Sequence, residues 1–293
     1  MILAFGSVNI DLTVPVPALP QAGETVLGSD YVLVPVGKGA NQALAACRAG
    51  SEVLLAGAVG RDLFAEIAFS LLRRGGVDLD LVRTVERPTG CAAIMVSHAG
   101  ENVIAVAPGA NASVRADQVP DEVLDTKTIL VTRMEVSPAE TEALIRRTRM
   151  RGGRCLLNLA PALPIDFELL SLLDFLVANE CEAATLGPDL PALGRRLRQA
   201  LVVTRGARGA TAFLVDRTSL DVPPLPIKPV DTTGAGDAFT GVLAAGIDDG
   251  LPLATALRRA SVAGALTCLA QAPSRTEQRS IGLLIRQASH KLP

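Results

Sequence analysis

Two aspartates with small and hydroxyl-bearing residues between them stand in the segment VDTTGAGDAF, which begins at Val230. Asp231 and Asp237 are six positions apart, and an apolar pattern with helical spacing follows at residues 238–247. Small residues permit a turn that leaves N–H groups uncovered, and a helix starting there points its unpaired donors and positive dipole end into the same space. The segment therefore predicts an anion-binding site with a carboxylate beside it.

The chemistry of this segment would suit a phosphate next to a hydroxyl. A phosphate bound by the amides of Gly234, Ala235 and Gly236 would lie close to Asp237, which could take a proton from a hydroxyl brought beside it. The alternative is an ordinary capped helix, because Asp and Thr are favoured at helix starts. The spacing alone leaves both interpretations open.

The composition excludes several classes of protein. The chain has 293 residues, enough for one large α/β domain or two smaller ones. Its residues are 49% hydrophobic and 3% aromatic, which predicts an aliphatic core, and its net charge of −2 provides no basic surface for nucleic acid or an anionic membrane. The two histidines argue against His-based zinc sites and Ser-His-Asp hydrolysis, unless one of them is the base.

The five cysteines stand singly, without a Cys-x-x-Cys pair, and predict neither a disulfide framework nor a zinc ribbon. The first residues are strand-like rather than basic, and no apolar run reaches about 18 residues. We therefore expect a soluble, unprocessed protein of the cytoplasm, with no membrane and no nucleic acid among its partners.

Strands and helices alternate beyond residue 107, which predicts an α/β fold with a mainly parallel sheet and helices on both faces. The last helices are expected near residues 238–247, 253–270 and 281–288. Segments 12–35 and 90–107 consist instead of short alternating runs and predict a small separate sheet, which would act as a lid, a dimer contact or both. The main domain would then comprise residues 1–11, 36–89 and 108–293.

Polar side chains follow the ends of several predicted strands, where ligands bind in open parallel sheets. Glu182, three positions after Asn179, could hold the hydration shell of Mg²⁺ near a nucleotide phosphate. The alternatives are turns in which Asn and Asp bond their own backbone, and an ordinary helix-start Glu. The full set is Asn9, Asp11, Glu135, Asn158, Asn179 and Glu182.

A glycine-rich segment, VGKGANQ, precedes a predicted helix at residues 43–49. Gly37 and Gly39 would let the backbone approach a ligand closely, and Lys38 and Asn41 would donate to hydroxyls or phosphate. The segment fits neither the Walker A pattern nor Gly-x-Gly-x-x-Gly, and no such pattern follows the first strand, which excludes a Rossmann dehydrogenase. A helix start with nothing bound is the alternative.

In chain order, the motifs GSVNID, GKGANQA, GENVI followed by PGAN, NLAPA, NECEA and DTTGAGDAF resemble the ribokinase family of small-molecule kinases, of the phosphofructokinase-B type, over nearly the whole chain. The resemblance implies a three-layer αβα fold with a β lid. It also implies ATP-dependent transfer of the γ-phosphate to a primary hydroxyl of a small sugar, with D-ribose and ribose 5-phosphate as the first expectation.

The resemblance further implies the roles of individual residues. Asp237 would be the catalytic base, with Gly234, Ala235 and Gly236 as the anion hole. Mg²⁺ would lie near Glu182, and a monovalent cation, K⁺ first, would lie at Asp231 and Thr233, completed by residues 265–274. Two subunits would pair through the lid. The sugar-binding set would be Asn9, Asp11, Gly37, Lys38, Asn41 and Glu135. The ATP-binding set would be Asn179, Thr204, Gly206 and Gly209, and the turn at 204–209 could equally be just a hairpin.

The resemblance leaves the acceptor open. A nucleoside kinase of the adenosine or pseudouridine type, another sugar kinase such as a fructokinase, and an inactive sugar-binding regulator are the alternatives. Nucleobases are usually held by aromatic faces, whereas the lid segments contain one aromatic, Tyr31, which favours a small sugar. Val36 stands where these kinases usually have glycine, and the Cys-Leu-Ala of residues 268–270 replaces a stretch that often carries Arg and Gly.

Overall fold

The computed structural model describes residues 1–269, and all the features below belong to that range. In chain order the strands are β1 (Ile2–Phe5), β2 (Asn9–Val16), β3 (Val32–Val36), β4 (Val53–Gly60), β5 (Asp78–Val85), β6 (Gly90–Ser97), β7 (Asn102–Ala107), β8 (Ile129–Arg133), β9 (Arg154–Asn158), β10 (Phe175–Asn179), β11 (Ala200–Thr204), β12 (Ala210–Leu214) and β13 (Ser219–Val222). The α-helices are α1 (Lys38–Arg48), α2 (Leu63–Gly75), α3 (Pro138–Met150), α4 (Phe167–Leu170), α5 (Glu180–Ala184), α6 (Leu190–Gly194), α7 (Ala235–Asp248) and α8 (Leu253–Thr267).

Nine strands form the main sheet in the order β13-β12-β11-β10-β9-β8-β1-β4-β5. The pairings from β11 to β5 are parallel, and β12 and β13 add an antiparallel edge. Along β1 the side chains alternate between two cores: Ile2 belongs to the core that contains residues of α1, α2, α7 and α8, while Leu3 belongs to the core that contains residues of α3 to α6. The prediction of a mainly parallel sheet covered on both faces is confirmed.

The smaller sheet has the order β3-β2-β6-β7. Two antiparallel hairpins, β2 with β3 and β6 with β7, meet through the parallel pair β2 and β6. Asn9 and Asp11 therefore lie within β2, so the expectation that they simply follow the first strand of the main sheet is wrong. Because β1 ends at Phe5, the chain passes from one sheet to the other within a few residues.

Two glycines allow α1 to start against the connection between β1 and β2. Gly37 has a φ of +106°, and a Cβ at Gly39 would lie 2.6 Å from the carbonyl carbon of Gly6 and from the amide nitrogen of Ser7. Any side chain at position 39 would therefore collide with backbone. In the described structure the packing of α1 itself requires these glycines, which is a different reason from the close approach to a ligand that we expected.

Helix α7 starts at Ala235, earlier than the expected residue 238, so Asp237 lies in its first turn. The helix packs against α1, α8 and β8. Helix α8 ends at Thr267, three residues before the expected end at residue 270, and the helix expected near residues 281–288 lies outside the described residues. No helix of residues 1–269 has both the length and the apolar character needed to cross a bilayer.

We expect Gly39→Ala to lower the free energy of unfolding by about 1–3 kcal/mol, the usual cost of overpacking a core. The added methyl group would meet backbone, which cannot rotate away. Urea denaturation followed by circular dichroism measures the change. Gly236→Ala is the matched control, because a Cβ at Gly236 would meet no atom within 4 Å; equal stability of the two variants would contradict the packing argument.

Candidate active site

Asp237 is buried, with 8% of its surface exposed, and its carboxylate accepts three hydrogen bonds. Oδ1 accepts from Nη1 of Arg133 at 2.9 Å and from Nε2 of Gln42 at 3.2 Å, and Oδ2 accepts from Nδ2 of Asn41 at 3.0 Å. These donors compensate the burial of the charge and fix the plane of the carboxylate. Asn41, predicted to hold a sugar hydroxyl, thus contacts the predicted base, and Arg133 and Gln42 were not predicted.

The start of α7 is open on the side of Gly236. Gly234 is the N-cap, in the left-handed region at a φ of +75°. The Ala235 amide donates to the Thr232 carbonyl oxygen at 3.3 Å, so it closes a turn and is less available to an anion than predicted. The first amides of a helix have no acceptors inside the helix. An anion in the open space beside Gly236 could accept hydrogen bonds from these amides.

A cavity of about 180 Å³ lies between this helix start and the ends of β8, β9 and β10. Arg133, which was not predicted, lines it together with residues of the predicted site and with Asn158, one of the polar residues expected at the end of a strand. The predicted residues that it brings together are Lys38, Asn179, Glu182, Thr204, Gly234, Gly236 and Asp237.

A second polar cluster borders Lys38 on the side of the smaller sheet. The Lys38 Nζ lies 3.5 Å from Oε1 of Glu135, its amide donates to Oε2 at 3.4 Å, and the Ser7 hydroxyl donates to the same Oε2. Burial, and secondarily the charge of Glu135, raise the pKa of Asp11 to about 6. Lys38 thus connects the cavity with a group of carboxylates that suits the recognition of hydroxyls.

Asn9 is oriented by a residue that was not assigned a role. Its Oδ1 accepts from Nδ2 of Asn111 at 2.6 Å, and Oδ1 of Asn111 accepts from the Val8 amide at 2.9 Å. A Cβ at Gly90 would lie 2.1 Å from Oδ1 of Asn9, so this contact also requires glycine there. Asn111 belongs to the PGAN motif, which was the available signal for its importance.

The predicted nucleotide side is partly assembled. Asn179 and Glu182 form a reciprocal capping box at the start of α5, with both bonds at 2.8 Å, which is the helix-start alternative for Glu182. Gly206 and Gly209 have φ values of +54° and +82° in the turn after β11 and do not line the cavity. Within the described range no group of three or more His, Cys, Asp or Glu could hold a metal ion.

The predicted monovalent-cation segment is only partly described. The Thr233 amide donates to Oδ1 of Asp231 at 2.8 Å, and the amides of Val230 and Asp231 donate to the Cys268 carbonyl at 2.7 and 3.3 Å. Burial, with a smaller effect of the Asp231 charge, raises the pKa of the Cys268 thiol. Residues 270–274 of the same segment lie outside the described residues.

A mainly parallel sheet with helices on both faces, and a carboxylate at an open helix start, is the arrangement expected of a phosphoryl-transfer enzyme. Residues 1–278 match the pfkB family of carbohydrate kinases, and the chain belongs to this family. The family resemblance deduced from the motifs is therefore confirmed.

Individual relatives match over most of their lengths. A ribokinase of Lactococcus lactis is 34% identical over 267 residues, which cover 89% of this chain and 88% of that protein. A ribokinase of Bacillus subtilis is 33% identical over 271 residues, covering 91% and 92%. The structure of Arabidopsis thaliana ribokinase complexed with ribose and ATP superimposes with a TM-score of 0.87 at 26% identity, covering 98% of each chain.

We expect Gly236→Ala to keep or slightly raise stability, by up to about 1 kcal/mol, because alanine is favoured over glycine inside a helix. The methyl group would occupy the open space beside the helix start, so turnover should fall roughly 10²-fold, as on loss of one anion-hole donor. Thermal unfolding and an ADP-release assay measure the two effects. Unchanged turnover in a folded variant would place the anion elsewhere.

Proposed function

We propose that the chain is an ATP-dependent sugar kinase that transfers the γ-phosphate to the primary hydroxyl of D-ribose. The observation that carries the proposal is that Asp237 lines the cavity at the open helix start, which is suited to phosphates. Lys38 lines the same cavity and pairs with Glu135, which lies near Asp11 in a carboxylate cluster suited to sugar hydroxyls. The names of the relatives and the ribose and ATP complex support the choice of substrates.

The hydrogen bonds of Asp237 indicate which oxygen acts. Oδ1 already accepts from Arg133 and Gln42, whereas Oδ2 accepts from Asn41 alone. Oδ2 therefore keeps a lone pair for the proton of the sugar hydroxyl. A weak base is sufficient, because phosphoryl transfer through a loose transition state removes that proton late.

Electrostatic stabilisation would come from the start of α7 and from Lys38. The phosphoryl group in transfer spreads charge over its oxygens, and fixed donors in a site that excludes water stabilise that charge strongly. Gly236 and Lys38 both line the cavity. The sugar hydroxyl would approach from the side of Asp11 and Glu135.

Magnesium would neutralise part of the charge on the ATP phosphates. Glu182 lines the cavity, and one of its oxygens is engaged in the capping box. Since no three-residue ligand group exists in the described part of the chain, phosphate oxygens and water would supply most ligands, with Glu182 acting through water. A K⁺ site at Asp231 and Thr233 remains part of the proposal, and Asn179, Thr204, Gly206 and Gly209 would border the nucleotide.

The smaller sheet would serve as both lid and subunit contact. Strand β7 is exposed along its whole length, including Val103, Ile104 and Val106. Exposed apolar strands tend to pair with another chain, so we propose a homodimer through segments 12–35 and 90–107. None of the five cysteines, all within residues 1–269, forms a disulfide, which supports a cytoplasmic location.

Ionisation of Asp11 should govern sugar affinity. Its pKa is raised from 3.8, the ordinary value, to about 6 in the folded protein. Protonated Asp11 therefore contributes to the stability of the fold below pH 3.8, and this contribution is lost as the pH rises through about 6. A sugar hydroxyl needs the ionised acceptor, so the sugar KM should rise as pH falls below about 6, by up to about tenfold per pH unit.

Steady-state kinetics from pH 5 to 8 (roughly the range spanning that titration) test this expectation. Asp11→Asn should show a high KM that does not vary with pH, and Asp78→Asn, on the exposed start of β5, is the control. A wild-type KM that is flat across this range would refute the role of Asp11.

Asp237→Asn should lower kcat by about 10²–10⁴, the usual contribution of a general base. It should also lower the free energy of unfolding by about 3–5 kcal/mol, because it leaves the buried Arg133 cation without its partner. Coupled ADP release and calorimetric sugar binding separate turnover from binding. Asp216→Asn, in an exposed turn, is the control, and near wild-type turnover of Asp237→Asn would refute the assigned base.

Substrate identity is tested with ribose, fructose, adenosine and pseudouridine, each with ATP and with or without K⁺. We expect the highest kcat/KM for ribose, because the sugar side of the site is built from carboxylates and amides and the one lid aromatic, Tyr31, is 64% exposed. Turnover of a nucleoside far above ribose would favour a nucleoside kinase. Sugar binding without ADP release would favour an inactive regulator.

A further inference from the structure

Arg133, the last residue of β8, is fully buried, with 1% of its surface exposed. Its Nη1 donates to Asp237 at 2.9 Å, and its Nη2 reaches the Ala160 carbonyl oxygen only at 3.5 Å. Its Nε has no partner within the described part of the chain. Because an unsatisfied N–H on a buried cation is costly, this side chain is expected to meet a further acceptor.

Asn158 repeats this pattern on the neighbouring strand. Arg133 and Asn158 are register partners in the pair β8 and β9, so their side chains leave the sheet on the same face. Nδ2 of Asn158 donates to Oγ1 of Thr240 at 3.0 Å, while its Oδ1 lacks a partner among residues 1–269. Both residues line the cavity beside Gly236. The unpaired N–H of Arg133 is a donor that a phosphate oxygen could accept from, whereas the unpaired Oδ1 of Asn158 is an acceptor and needs a donor.

Proton transfer to Asp237 would change the electrostatics of Arg133. In the free enzyme the guanidinium is balanced by the carboxylate. When Asp237 takes the hydroxyl proton, a buried cation is left beside a neutral acid, which is strongly unfavourable unless another anion is present. A phosphoryl group in the same cavity would be that anion.

We propose that Arg133 is a further catalytic residue, whose guanidinium neutralises Asp237 in the free enzyme and contacts the phosphoryl group during transfer. The sugar oxygen forms a bond to the γ-phosphorus, and the hydroxyl proton goes to Oδ2 of Asp237. The bond between the γ-phosphorus and the bridging oxygen breaks, and its electron pair leaves with ADP. The charge lost from the carboxylate reappears on phosphate oxygens, so Arg133 remains paired throughout. This inference rests on the proposed kinase function.

Kinetics give the first test. Arg133→Gln should lower kcat by about 10²–10³, as for other preorganised transition-state donors, while the sugar KM stays within about threefold of wild type. Arg149→Gln is the control, because it breaks another Arg–Asp pair, in which the partly buried Arg149 lies 3.1 Å from the buried Asp174, before β10 and away from the site. It should lower the melting temperature without lowering kcat. A kcat for Arg133→Gln within about threefold of wild type would overturn the proposal.

Binding of a phosphoryl mimic separates direct contact from an effect through Asp237. Calorimetry would compare ADP with ADP plus aluminium fluoride, in the presence of sugar, for wild type, Asp237→Asn and the double variant Asp237→Asn with Arg133→Gln. The double variant removes both buried charges, so no unpaired charge opposes its folding. Aluminium fluoride should tighten ADP binding in the wild type and in Asp237→Asn, and the tightening should be about 10²-fold smaller in the double variant. The affinity for ADP alone should be the same in all three proteins.

Equal tightening in Asp237→Asn and in the double variant would mean that Arg133 acts only through Asp237, and would overturn the proposal. Absence of tightening in the wild-type protein would also overturn it. Failure of the wild type to phosphorylate any compound of the panel would instead refute the proposed function, whereas the fluoride comparison requires no turnover and still tests Arg133.

Discussion

The contact between Asp237 and Arg133 is the interaction on which the site depends. A carboxylate that is buried must be paired, and this one takes its partners from α1, through Asn41 and Gln42, and from the end of β8. These partners lie 196, 195 and 104 positions away in the chain. The charge of Asp237 is therefore compensated only when three parts of the fold are in place. These are the start of α7, the start of α1 and the carboxyl end of β8.

Close backbone packing makes this convergence possible. Gly39 lets α1 lie directly against the connection between β1 and β2, and the same short connection carries the chain from the main sheet to the smaller one. As a result Lys38 borders both the cavity and the carboxylate cluster of Glu135. One helix start thus links the two halves of the site, so a packing defect there would affect stability and catalysis together.

The two halves of the site differ in their electrostatics. On the side of the smaller sheet, Asp11 is half-buried near Glu135, and its pKa is raised to about 6. On the side of the cavity, amides of a helix start, Lys38 and Arg133 face the space. In the proposed function this difference has a purpose, because carboxylates suit the binding of hydroxyls and positive potential suits the binding of phosphates. Asp237 and Lys38 both line the cavity.

The sequence by itself determined the fold class and the position of Asp237 in a first helical turn, because alternating strands and helices and a glycine-rich helix start are local patterns. It also carried the motifs that place the chain in its family. Only the tertiary structure decided that Arg133 and Gln42 contact Asp237, that Asn111 contacts Asn9, and that Asn9 and Asp11 belong to the smaller sheet. These contacts join segments that are distant in the chain, so they leave no periodic pattern in the sequence. The burial of Arg133 at the end of β8 could not be predicted without knowing that Asp237 lies beside it.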